Sequence, residues 1–307
     1  MSKRWLSIRW LFVPIIWAVL STQIHADVTL RKVRHISAGL LSDITTKVTW
    51  FLKDSRFCEK EQTEMLLVSS STATIYDLKK AKVWKVDFDD ETYEEFELSD
   101  YRSDTSYKLE SLLNLTMDKL KSMELEYLYF HVSPLSKERV IGGYKCKGLM
   151  LTLTGRFSDP FGDEDIDMLG SFVVWLAKVK GDDPLAKIYD FYFSKVSRDT
   201  ATLVFEIGEE FLESFADVES MQKQVSQVLT TLFGDTTNLY PVGFEFMVRS
   251  GDPTSATSSV LPIFISEYLV GVSQPKIQDA IFKVPEGFEK EEESDWDLFQ
   301  FQEDDSD

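Results

Sequence analysis

Three histidines and two cysteines limit the nucleophilic and metal chemistry open to this chain. His25 sits in the N-terminal leader described below. His35 follows Arg34 in a polar stretch, and His131 falls inside an apolar strand-like segment. No G-x-S-x-G, H-E-x-x-H, P-loop or G-x-G-x-x-G pattern accompanies them, so acyl transfer, zinc hydrolysis and nucleotide chemistry lack their usual frames. His131 therefore reads as a satisfied strand histidine rather than a general base. Cys58 and Cys146 lack the close Cys/His pairing that zinc needs, and no metal or cofactor is implied. They form either one disulfide or two separate core thiols. In the chain-entropy model a bridge closing so long a loop would contribute about 4–5 kcal/mol.

Acidic groups are plentiful. Asp163, Asp165 and Asp167 alternate as in half of a calcium loop. Met168 stands where such a loop needs glycine, and Val174 where it needs a bidentate glutamate, so the segment reads as a solvated loop. Asp87, Asp89, Asp90 and Glu91 read as a hairpin tip rather than paired catalytic carboxylates. The chain is expected not to be an enzyme.

The bulky apolar residues carry more information. Trp50, Trp84, Trp175, Phe244 and Phe246 sit in strand-like segments. Tight cover would make them plain core, whereas loose cover would make them the wall of a ligand pocket. The candidate ligand-binding residues are Trp50, Leu52, Trp84, Val86, Leu113 and Phe215.

These residues need elements to position them. From Asp27 to Leu98 the apolar period is two, as in Val48, Trp50 and Leu52, and short polar turns separate the runs. That spacing leaves no room for crossover helices and predicts an antiparallel meander. Asp104 is a candidate N-cap. Leu109, Leu112, Leu113, Leu120 and Met123 share one face of a helix predicted over 105–123. Strands resume over 124–133, 144–155 and 172–178. A second helix is predicted over 209–233, stopped by Gly234, and strands follow over 238–249 and 260–271. Gly155 to Asn238 is otherwise hard to place. The expected fold class is α+β: a large curved antiparallel sheet, an open half-barrel, with helices across its concave face. Residues 27–288 form its single domain.

The ends have their own composition. Lys3, Arg4 and Arg9 precede an 11-residue apolar run, Trp10 to Leu20, too short to span a bilayer comfortably. Polar Ser21–Gln23 and then Ala26 complete the order of a secretory signal peptide over 1–26, an uncleaved anchor being the alternative. No cysteine near the cut offers a lipid attachment point, so the expected location is periplasmic or secreted. Cleavage removes three cations and no acid, moving the net charge from −19 to −22. Such a charge opposes binding to nucleic acid or to anionic lipid. The tail, 289–307, has ten acids and one lysine around Trp296, Leu298, Phe299 and Phe301. It reads as disordered in isolation, either a solubilising tail or a docking segment.

Four phrases in order resemble the outer-membrane lipoprotein carrier superfamily (LolA/LolB-like). They are closest to an uncharacterised exported family thought to share that fold. Ser71 to Asp87 (STATIYDLKKAKVWKVD) is similar to its strand-turn-strand phrase, and Thr92 to Glu95 to the short phrase that follows. Arg139 to Cys146 (RVIGGYKC) and the closing Asp279 to Phe288 (DAIFKVPEGF) match later ones. The resemblance implies a half-barrel whose covered apolar hollow shelters acyl chains. The long segment 155–238 and the acidic tail depart from it. The expected partner is then a hydrophobic ligand or a lipidated protein. The alternative is an envelope interaction or sensor module with a filled core, docking a protein through the tail or a sheet surface.

Overall fold

The computed structural model describes residues 27–38, 43–65, 68–99, 101, 124–158, 165–196, 218–250 and 260–291. The strands are β1 (Val28–Ala38), β2 (Ile44–Lys53), β3 (Arg56–Met65), β4 (Val68–Asp77), β5 (Lys82–Asp87) and β6 (Thr92–Glu97), then β7 (Glu124–Pro134), β8 (Arg139–Ile141), β9 (Tyr144–Ser158), β10 (Asp165–Lys178), β11 (Leu239–Ser250), β12 (Val260–Ser273) and β13 (Glu289–Lys290). All thirteen belong to one open sheet of order β13-β6-β5-β4-β3-β2-β1-β12-β11-β10-β9-β7, with β8 paired to the start of β9. The helices α1 (Pro184–Phe191) and α2 (Val218–Phe233) make the fold α+β.

The period-two runs form the predicted meander. β1 to β6 pair in sequence, each with the next and all antiparallel. Asp54, Ala81 and Glu91 take positive φ in the tight turns. At the tip between β5 and β6, Asp87 Oδ1 accepts from the Asp89 and Asp90 N–H groups, so this acid cluster shapes a turn. The other half, β7 to β12, joins the meander where β1 pairs with β12. At the start of the acidic segment 289–307, Glu289 and Lys290 extend β6 as a short parallel strand, the Glu289 N–H reaching Glu91 O at 3.0 Å.

A cross-strand row shows how the meander packs. Leu52, Phe57, Tyr76 and Val83 are register partners in turn, and all are buried. Alternation places Cys58, Ile75 and Val86 on the opposite face, in a second cluster closed by Ile277 and Phe282. Residues 274–288 therefore strap that second face. The Ile277 N–H donates to Asp27 Oδ2 at 2.7 Å, and Asp279 bridges Lys53 and Arg56 at 3.0 and 2.9 Å.

Cys58 lies in the strap cluster and Cys146 in the helix cluster. Both are buried free thiols, and six strand positions separate β3 from β9. The disulfide is thus replaced by two small core residues.

Helix α1 was not foreseen. Its signal is local: Asp183 caps it, accepting from the Leu185 N–H at 2.8 Å, and Pro184 opens the first turn. Leu185, Ile188 and Tyr189, at helical spacing, pack against β1, β11 and β12. The chain continues as a π-helical turn, Tyr192–Val196.

The predicted second helix is present as α2 over its described part and ends at Gly234, φ +70°. It packs against β7 and β9, and its Gln224 accepts from the Val132 N–H of the edge strand β7 at 3.2 Å. Its described part covers an edge rather than the middle of the face. The helix predicted over 105–123 lies outside the described residues.

The turn after β8 rests on β12. A Cβ at Gly142, where φ is +58°, would stand 2.6 Å from Leu269 Cγ. In a flat sheet these strands would lie about 19 Å apart, four strand spacings, so the sheet curls here.

Phe282→Ala should lower stability by about 3 kcal/mol by opening a cavity under the strap. Urea unfolding checks this through a lower midpoint at unchanged slope.

Candidate functional site

Beside α1, the face that carries the Leu52–Val83 row opens into a cavity of about 280 Å³. This is just under the lower end of the usual range for ligand pockets. Trp50, Tyr189, Tyr192, Val242 and Leu269 give it aromatic and aliphatic walls. Trp50 organises one side: its ring stacks on Tyr192 at 4.2 Å between centroids and meets Tyr189 and Phe57 edge-on at 5.5 Å. Such pairs add roughly 0.5–1.5 kcal/mol each beyond the area they bury.

Four of the lining residues are charged. Lys32 and Arg34 alternate on β1 with Val28 and Leu30, so an inward strand face changes from apolar to cationic along its length. Glu267 of β12 answers both. Lys32 Nζ lies 3.1 Å from its Oε1, and Arg34 donates through Nε and Nη2 to Oε2 at 3.0 and 2.8 Å. Lys32 Nζ also stands 3.7 Å from the Trp50 ring centroid. Glu59 of β3 completes the group by accepting from Trp50 Nε1 at 3.0 Å.

The two glutamates are pulled in opposite directions. Burial raises the Glu267 carboxyl, but the Lys32 and Arg34 charges and hydrogen bonds outweigh it and hold the carboxyl below its usual range. Burial also raises Glu59, the Glu61 charge adds to it, and the Trp50 hydrogen bond with the two cations does not compensate. Glu267 is therefore the anchored anion. Glu59 is the group that gives up its charge more readily.

The candidate residues separate. Trp50 and Leu52 share the helix-side cluster: Trp50 lines the cavity, while Leu52, fully buried, is core behind it. Trp84 and Val86 do not join them. Alternation along β5 turns both to the strap face, where Val86 is buried and Trp84 donates to Glu95 at 2.8 Å. Val83 takes their place on the helix side. The misassignment has a simple cause: Lys82–Asp87 has apolar residues at 83, 84 and 86, so its periodicity alone does not pick a face. Leu113 and Phe215 lie outside the described residues. Phe244 reaches the cavity, whereas Trp175 is buried beside Arg139.

Elsewhere, Asp167 forms a two-point ion pair with Arg156 across β9 and β10, at 2.7 and 2.9 Å. His35 bonds Thr45, and His131 is exposed. Among the described residues no cluster of three or more His, Cys, Asp or Glu side chains could hold a metal. No helix among them is long and apolar enough to cross a membrane.

Lys32, Arg34, Glu59, Glu267 and Tyr189 also line the cavity and do not stand out in the sequence. The available signals were charged residues at an inward strand parity and the Asp183-Pro184 cap. No family model matches the chain, and no curated protein is detectably similar to it.

Glu59→Gln should stabilise the protein at pH 7. A raised folded-state pKa gives stability that is complete below the unfolded value of 4.5 and lost as pH rises through the folded value. The amide removes that loss and can still accept from Trp50. Thermal unfolding from pH 7 to pH 4 checks this: the variant's advantage should shrink as pH falls.

Proposed function

We propose that this is an exported, non-enzymatic protein that binds a hydrophobic ligand, an acyl chain or a similar apolar segment. The site is the cavity beside α1, within a half-barrel of the lipoprotein-carrier type. The mechanism is sequestration. Each methylene moved from water to the wall of Trp50, Tyr189, Val242 and Leu269 contributes about 0.8 kcal/mol. The single observation that carries this reading is the cavity itself, a hollow on the helix side of the sheet lined by aromatic and aliphatic residues together with four charged ones. The leader at 1–26, with its cut after Ala26, supports a periplasmic or secreted location. A hydrophobic compound or the lipid part of a lipidated protein is the fitting partner.

A second reading has its own support. Leu185 and Ile188 are fully buried against the sheet, so α1 fills the middle of that face. On this view the sheet is a filled scaffold, and the acidic tail or a sheet surface docks a protein partner in the envelope. Truncation after Glu291 keeps β13 and removes the rest of the tail. Loss of a defined partner with ligand uptake intact would favour docking.

For the binding reading, purified mature protein should take up a fluorescent fatty acid, and native mass spectrometry should show a bound apolar compound. Phe193→Ala, at the half-open rim, should weaken uptake about threefold. Absence of both uptake and a copurified compound would overturn the reading.

A further inference from the structure

The cavity is lopsided in its chemistry. Aromatic and aliphatic groups line it, and two cations from successive inward positions of one strand line it with them. A pocket for a purely apolar molecule gains nothing from those cations, because bringing charges into a half-closed space costs desolvation. The cost is met in part inside the protein: Glu267 takes both cations, and the Trp50 ring covers Lys32. The two cations differ in access: the Lys32 side chain is only 9% exposed, and Arg34 is the more open. Both border the cavity, and the Arg34 side chain remains 29% exposed. Its further contact with Glu61 is long, 3.5 Å, and Glu61 is itself more exposed. A guanidinium has five N–H donors in a fixed fork, so a carboxylate already bound along one side leaves donors for a second oxyanion.

The facing groups are Lys32 and Arg34 from β1, Glu59 and Glu61 from β3, Tyr76 from β4, Tyr189 and Tyr192 from the helical segment, and Glu267 from β12. Among them Glu267 is held ionised by the cations and is the carboxylate nearest to both. Burial biases Glu59 toward its neutral form.

We infer that the cavity takes a single-chain amphiphile with an anionic head, a carboxylate or a phosphate, its alkyl chain along Trp50, Val242 and Leu269 and its head on Arg34 and Lys32. This inference rests on the binding reading above and names its ligand class. Head and chain would be read separately, the head by charge-assisted hydrogen bonds and the chain by burial.

Isothermal titration with decanoate, decyl phosphate and decanol tests it, because the three share a chain and differ in head. At pH 7 and low salt, at least one anionic compound should bind about tenfold more tightly than decanol. Whichever anion leads identifies the head. Arg34→Gln should abolish that preference, bringing the ratio of anion to decanol affinity to about one. Because Arg34 also pairs with Glu267, Glu59→Gln serves as the second variant: removing a carboxylate that lines the cavity should raise the ratio of anion to decanol affinity. Equal binding of all three compounds, with neither variant changing the ratio, would overturn the anionic head and leave the apolar site standing. Failure of all three to bind would remove the underlying reading and this inference with it.

Discussion

The pairing of β1 with β12 is the constraint on which the rest of this structure depends. The sheet has two halves, a six-strand meander from the first part of the chain and a second set from the later part. Among the described residues β7 to β12 join the meander through the β1–β12 ladder, between strands more than 200 residues apart, and the short β13 pairs with its far edge. Closing so long a chain loop is entropically expensive, and contacts made only at the seam must offset that cost. The seam is equipped for it. Lys32 and Arg34 on one strand lock onto Glu267 on the other, and α1 lays Leu185, Ile188 and Tyr189 over the same junction. The strap then runs from the end of β12 over the meander's opposite face and ends in β13 at the far edge. The second half is thus tied to the first on both faces.

Placing charge at this seam has an energetic logic. A buried ion group seldom adds much net stability, but removing one partner strands the others. Such a group makes a good register device. Slipping β12 by one residue on β1 would turn Glu267 to the other face and leave Lys32 and Arg34 unpaired inside. The cavity lies against the same charges, so the group that fixes the register also sets the character of the hollow.

Much of this fold was legible in the residues. The alternation of Val48, Trp50 and Leu52, the short polar turns and Gly234 at the helix end each report a local physical rule, and the structure follows them. What was not legible depends on distance or on ambiguous parity. Lys82–Asp87 offers apolar residues to both faces, so Trp84 and Val86 were assigned to the wrong one. Cys58 and Cys146 looked like possible partners because strand assignment says nothing of how many strands intervene. The seam charges were hidden because Lys32 and Arg34 resemble ordinary outward residues until Leu30 and Trp50 are seen to share their face. Helix α1 had a readable cap, but its eight residues are too few to dominate a window.

The central claim is that the hollow between Trp50, Tyr189 and Val242 receives an alkyl chain, and heavy-atom crystallography tests it most directly. Crystals grown with an alkyl carboxylate brominated at its chain end should give an anomalous peak within that hollow, with the carboxylate toward Arg34. A fully occupied ligand found elsewhere on the protein, or a hollow already closed by the chain's own side chains in the experimental map, would contradict it.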